Sequence, residues 1–176
     1  MFDADLLVED CRAALTGDRA SLNVREVVAR AIADPACAAG IAGRGEAGVH
    51  TLHRSPELTV LNVVWAPGMV LLPHNHEMWA VIGVYSGRED NILWRRLPGD
   101  ARTRIEAAGA KSLGEGEAIA FGPDVIHSVL NPLSRPTSAL HVYGGDFFAV
   151  PRSEWDPETH TERPLDVEAV LRRLGG

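Results

Sequence analysis

The sequence predicts an all-β core, an antiparallel barrel or jelly roll, with helices before it and a short amphipathic helix after it. Three observations carry that prediction. Residues 50–150 break into short apolar stretches separated by Gly and Pro, the spacing of strands in a barrel. Ahead of residue 35 the apolar residues recur with a helical period instead. Two histidines one residue apart, His74 and His76, end an apolar run, and His127 follows in a later stretch of the same kind.

Length and charge narrow the function classes. The 176 residues are one domain's worth, and 45% apolar content is ample for a buried core. Net charge is −7, from 17 basic and 24 acidic residues, and no basic stretch is interleaved with aromatics. Nucleic acid and anionic membrane surfaces are therefore not expected partners, which leaves a small molecule or another protein. The acidic start Met1-Phe2-Asp3-Ala4-Asp5 does not resemble a basic leader, and no apolar run spans a bilayer, so a cytoplasmic protein is expected. Cys11 and Cys37 match no paired metal motif and read as buried free thiols.

The elements follow in order. Residues 3–16 predict a short helix with Leu6, Leu7, Cys11, Ala14 and Leu15 on its apolar side. A second helix opens at Asn23, which has capping-box spacing to Glu26, and carries Val24, Val27, Val28, Ala31 and Ile32 on one face. Pro35 stops it, and the Gly/Ala-rich Ala36 to Gly48 reads as a loop. Strands are expected at Leu58–Trp65, Met69–Pro73, Met78–Tyr85, Asn91–Leu97, Arg102–Glu106, Glu117–Phe121, Ile126–Leu130 and Thr137–Tyr143. Beyond Val150 the chain turns polar and Pro-punctuated, then closes with a helix presenting Val167, Val170, Leu171 and Leu174, a face for the barrel exterior or a dimer contact. The whole reads as one domain: a helical extension at 1–48, a barrel at 49–150, and a tail with helix at 151–176.

The chemistry lies in the histidines. On a strand, His74 and His76 point the same way while Asn75 points away, so two imidazoles can share a metal. His127 from a neighbouring strand would complete a three-nitrogen set with open positions for substrate and oxygen, or for water. Glu77 follows His76 too directly and points to the opposite face. His50, His53 and His160 read as surface residues.

The spacing Gly68-x5-His74-x-His76, the later Gly87, and His127-x3-Asn131 resemble the two cupin motifs. The acidic residue usual a few positions after the second histidine is absent, Ala80 or Val81 standing there. That absence, VVWAPGMVLLPHNHEMWAVIGVYSGRED and the later LHVYGGDFF together resemble the bacterial thiol dioxygenases, relatives of cysteine dioxygenase and 3-mercaptopropionate dioxygenase, over residues 23–148. The resemblance implies a double-stranded β-helix and places the three iron-binding histidines on His74, His76 and His127. It places an active-site Tyr on Tyr143 and its partner His on His141. The serine that completes a Ser-His-Tyr chain in those enzymes is Ala139 here, which leaves His141 and Tyr143. No cysteine stands near Val81 to crosslink the Tyr. The Arg or Gln that such enzymes place before the first barrel strand corresponds to Val49, with Arg54, Arg44 and Arg88 as the candidates to take its part.

The resemblance thus implies an Fe(II) enzyme that takes a small thiol and O2 to a sulfinic acid, as a monomer or homodimer. Three neutral imidazoles leave a divalent ion its full charge and so favour an anionic ligand such as a thiolate. Zn, Ni or Mn also suit nitrogen ligands. Two other readings stand beside it: a cupin oxygenase or isomerase on a non-thiol small molecule, and a metal- or ligand-binding cupin without turnover.

Overall fold

The helical period ahead of residue 35 resolves, in a computed structural model that describes residues 3–42, 46–100 and 103–175, into two helices. Helix α1 (Ala4–Ala13) is capped by the Asp3 carboxylate, which accepts from the Asp5 and Leu6 amides. It buries Leu7, Val8 and Cys11, whereas Leu6, expected on that face, is exposed. Helix α2 (Ala20–Ala33) begins about a turn before Asn23, so Asn23 is not its cap. The Asn23 amide instead reaches back to the carbonyls of Ala14 and Thr16 and ties the end of α1 to α2. Val24, Val27, Val28 and Ile32 are buried, as their period predicts.

Part of the expected loop after Pro35 is a third helix, α3 (Pro35–Ala42). Proline is well placed at a first helical position, where its missing N–H is no loss, and the Asp34 carboxylate accepts from the Ala36 amide. Pro35 therefore ends one helix and starts the next. Cys11 is a buried free thiol; the Cys37 side chain, and Arg44, lie outside the described residues.

The strands are β1 (Gly48–Arg54), β2 (Thr59–Trp65), β3 (Val70–Asn75), β4 (Ala80–Ser86), β5 (Arg88–Arg96), β6 (Ile105–Gly114), β7 (Ala118–Phe121), β8 (Ile126–Leu130), β9 (Thr137–Tyr143), β10 (Ser153–Trp155) and β11 (Glu162–Pro164). They form two antiparallel sheets, ordered β1-β2-β9-β4-β7 and β11-β10-β3-β8-β5-β6, which face each other as a double-stranded β-helix, the cupin fold. Strand β6, expected at Arg102–Glu106, runs on to Gly114 through Ala and Gly residues of poor strand propensity, held by pairing with β5 along one edge. The polar stretch after Val150, expected as irregular, contributes β10 and β11, and Trp155 there is fully buried.

The first sheet is covered on both faces, which is why β2 and β4 read as nearly continuous apolar runs. Val60, Val81, Leu140 and Val142 pack outward against the helices, while Leu61, Ile82 and Ala139 point into the barrel. Each such aliphatic side chain contributes roughly 1.5–3 kcal/mol by leaving water. Gly87 and Gly144 are among the glycines dictated by close approach. Gly87 has a positive φ of 90° beside Thr137, and a Cβ on Gly144 would enter the Trp79 ring.

The C-terminal helix α4 (Val167–Gly175) turns a half-buried apolar side toward the barrel interior. Val167, Val170 and Leu171 close over the mouth of the barrel's interior cavity; the Leu174 side chain lies outside the described residues. Among the described residues no helix is long and apolar enough to cross a membrane.

Candidate metal centre

Strands β3 and β8 pair with His74 directly opposite His127. A register shift between Leu71 and His74, a bulge, turns both residues inward despite their odd spacing, and His76 follows two residues after His74 on the same side. The three imidazoles are buried, at 4%, 4% and 1% exposure, and their ligand nitrogens all lie within 4.8 Å of one another.

Their surroundings keep them neutral. Burial lowers His74 to about 4, against the opposing pull of its hydrogen bond to Leu72, and pushes His76 and His127 well below the ordinary range, with neighbouring histidines adding to the shift. Two of the rings are also aimed, whereas His76 Nδ1 is buried without a hydrogen-bond partner. His74 Nδ1–H donates to the Leu72 carbonyl at 2.8 Å, which leaves its Nε2 free. His127 Nδ1 lies 2.6 Å from Asn91 Oδ1, and its Nε2 lies 2.9 Å from His76 Nε2. Two nitrogens each about 2.0–2.1 Å from one ion and at a right angle would be separated by about that distance. The residues therefore fit a metal ion.

Across the barrel, β9 supplies the other expected pair. His141 and Tyr143 are buried on its inward face, with the Tyr143 hydroxyl 3.1 Å from His141 Nδ1 and its ring 5.0 Å from that of His76. Burial raises the Tyr143 phenol well above its ordinary value. Ala139 shares this face in the barrel's core, so no serine reaches His141 from its own strand.

Two charged residues at the site were not expected from the sequence. Arg152, in the polar stretch before β10, is 7% exposed and lines the cavity with its guanidinium stacked 3.9 Å over the Phe147 ring. Its Nε and Nη2 are buried without a hydrogen-bond partner. Glu89 on β5 is completely buried and accepts from Trp65 Nε1 and Asn91 Nδ2, with His141 Nε2 at 3.5 Å. The signal for Glu89 was its position two residues before Asn91 on an inward face; Arg152 carried none, because only the chain's return along β3 brings it inside.

The other candidates lie elsewhere. Arg54 pairs with Asp146 at 2.9 Å and Arg88 with Asp90 at 2.7 Å, so neither offers a free cation. Val49 does line the cavity, as an apolar wall. Glu77 is exposed at a positive φ and takes a hydrogen bond from Asn75. Asn131 clasps a turn, donating to the Ala66 and Arg135 carbonyls. His53 meets Arg12, His50 meets the Glu46 carbonyl, and His160 packs on Trp94.

No family model matches the chain. Among solved structures it is similar to a cupin family protein from Methanocaldococcus jannaschii, at 14% identity over 57% of this chain and 81% of that one, TM-score 0.46. It is similar to a cupin 2 conserved barrel domain protein from Salinispora arenicola, at 18% identity over 54% and 72%, TM-score 0.42. An uncharacterized protein with a double-stranded β-helix domain from Klebsiella pneumoniae aligns at 15% identity over 69% and 86%, TM-score 0.43. By its own sheet topology and its buried cluster, the chain is a cupin barrel with a three-histidine site able to bind a metal ion.

Proposed function

We propose that the chain is an Fe(II)-dependent thiol dioxygenase acting on a small thiol that carries an anionic group. The observation that carries this reading is the meeting, in one buried cavity, of three neutral imidazoles, a tyrosine and an unpaired guanidinium. His74, His76 and His127 would hold the iron. When bound, iron(II) supplies the redox chemistry that joins the thiol to dioxygen, R–SH + O2 → R–SO2H, with every atom of both reactants in the sulfinic acid.

The chain's own residues select and orient the substrate. Arg152 offers two N–H groups to an acceptor, and a carboxylate matches their geometry. Among the described residues lining the cavity none is acidic, so no carboxylate there pairs with a substrate ammonium group. The free volume is about 40 Å³, roughly three waters' worth. A short mercapto acid such as 3-mercaptopropionate fits these features better than cysteine. Tyr143, protonated because buried, sets its ring beside that of His76 and its hydroxyl against His141, which orients it. Leu165, Val170 and Leu171 keep bulk water from the reacting sulfur.

The test is oxygen consumption by protein loaded anaerobically with Fe(II), on adding 3-mercaptopropionate, cysteine, cysteamine or a diketone. Uptake is expected with 3-mercaptopropionate, matched by an equal amount of sulfinate, lost in His127→Ala and absent with cysteamine. Uptake with the diketone alone would move the reading to a non-thiol cupin enzyme. No uptake by protein that holds iron would leave a binding protein without turnover.

A further inference from the structure

Glu89 is a fully buried carboxylate near the site that neither the metal nor the substrate uses. It sits inside the barrel, where a carboxylate is costly unless its oxygens are paired. Both of its oxygens are engaged, and in different directions. Oε1 takes the Asn91 amide at 3.0 Å, and Asn91 turns its own oxygen to His127 Nδ1 at 2.6 Å. Oε2 takes Trp65 Nε1–H at 2.9 Å and faces His141 Nε2 at 3.5 Å, whose Nδ1 meets the Tyr143 hydroxyl at 3.1 Å.

A carboxylate only accepts, and an indole N–H only donates. Those two facts propagate outward. Asn91 must give its NH2 to Glu89 and therefore its carbonyl oxygen to His127, which must carry its hydrogen on Nδ1. His141 Nε2 makes no hydrogen bond but lies 3.5 Å from the Glu89 carboxylate, whose charge favours a hydrogen on that nitrogen and leaves Nδ1 to accept from Tyr143. We propose that Glu89 is a positioning residue that fixes the tautomers of two histidines with one carboxylate. Nδ1–H on His127 frees its Nε2 for a metal, and Nε2–H on His141 turns the Tyr143 hydroxyl hydrogen inward to Nδ1. The polar partner that β9 lacks at Ala139 is thus supplied from the opposite sheet. The inference rests on the metal centre of the proposed function and not on its thiol substrate.

Glu89→Gln separates the two arms. Trp65 and His141 converge on the Oε2 position, so the oxygen of the introduced amide belongs there and its NH2 faces Asn91. Asn91 then rotates, presents its NH2 to His127, and drives that ring to the Nε2–H form that cannot ligate. The experiment reads imidazole ¹⁵N shifts in metal-free protein and the cobalt(II) dissociation constant. Wild type should show His127 as Nδ1–H and His141 as Nε2–H. Glu89→Gln should switch His127, spare His141, and weaken cobalt(II) binding about 10- to 100-fold. Adding Asn91→Asp to that variant restores an acceptor both to the introduced amide and to His127, and should return the tautomer and most of the affinity.

Wild-type His127 protonated on Nε2 would overturn the assignment without any variant. So would Glu89→Gln with unchanged His127 shifts and affinity, or a double variant as weak as the single one. Wild type that binds neither cobalt(II) nor iron(II) overturns the metal reading instead, while its tautomers still decide the role of Glu89.

Discussion

A guanidinium buried with two N–H groups unpaired is destabilising until an acceptor joins it, because each lost hydrogen bond to a charged group costs about 1.5–3 kcal/mol. Arg152 is in that condition, with its charge already opposed by burial. Its stack on Phe147 holds the plane in place but satisfies none of those hydrogens. Arg152→Met keeps the stem and the packing while removing the charge. Expected is a rise in KM for 3-mercaptopropionate of about 10- to 100-fold with a smaller change in kcat, and no loss of thermal stability. Steady-state oxygen uptake and a melting curve on the same variant check both halves. A KM that does not move would take Arg152 out of substrate binding.

At the scale of elements, the question is how Arg152 comes to stand inside. The residue precedes β10, which is tied to β3 by the Ser153 amide donating to Asn75 Oδ1 at 2.8 Å and to β11 by pairing from Ser153 to Trp155. Strand β11 is in turn held to β5, Arg96 binding Glu162 through both oxygens and holding its carboxyl down at about 2. That contribution is present above the ordinary carboxyl range near 4.5 and is lost as pH falls toward 2. Arg96→Ala should therefore speed amide hydrogen exchange in β10 and β11 at neutral pH while β4 and β9 stay protected; equal protection throughout would show the hairpin to be held without this pair. The same anatomy explains what the sequence could and could not disclose. The histidines on β3 and β8, and His141 with Tyr143 on β9, were legible because strand alternation and a strong motif place them locally. The bulge that brings Leu71 and His74 to one face, the length of β6, the second start at Pro35 and the destination of α4 depend on partners far along the chain. Arg152 and Glu89 were missed for that reason: a polar residue's role is set by what it faces, and both face residues from other elements.

For the whole molecule, the cost of the site falls on the fold. Three imidazoles occupy a barrel interior also lined by Leu, Val and Phe, and burial keeps them neutral there. Unfolded, each takes up a proton near its ordinary 6.5, so below that pH the unfolded chain binds more protons than the folded one. Stability of the metal-free protein should hence be level above about 6.5 and fall as pH drops toward 4. His74 alone, lowered to about 4, would remove on the order of 3 kcal/mol, with His76 and His127 acting in the same direction. A metal that binds only the folded chain works against that loss, adding about 2.7 kcal/mol when present at roughly a hundred times its dissociation constant. It needs neutral imidazoles in competition with protons, so its benefit shrinks in acid. Melting curves from about pH 8 to about pH 5, with and without cobalt(II), should show a metal-dependent rise in Tm that is largest at neutral pH and absent in His127→Ala. The same rise in that variant would place the bound ion away from the three histidines and leave the barrel's neutral imidazoles without a ligand.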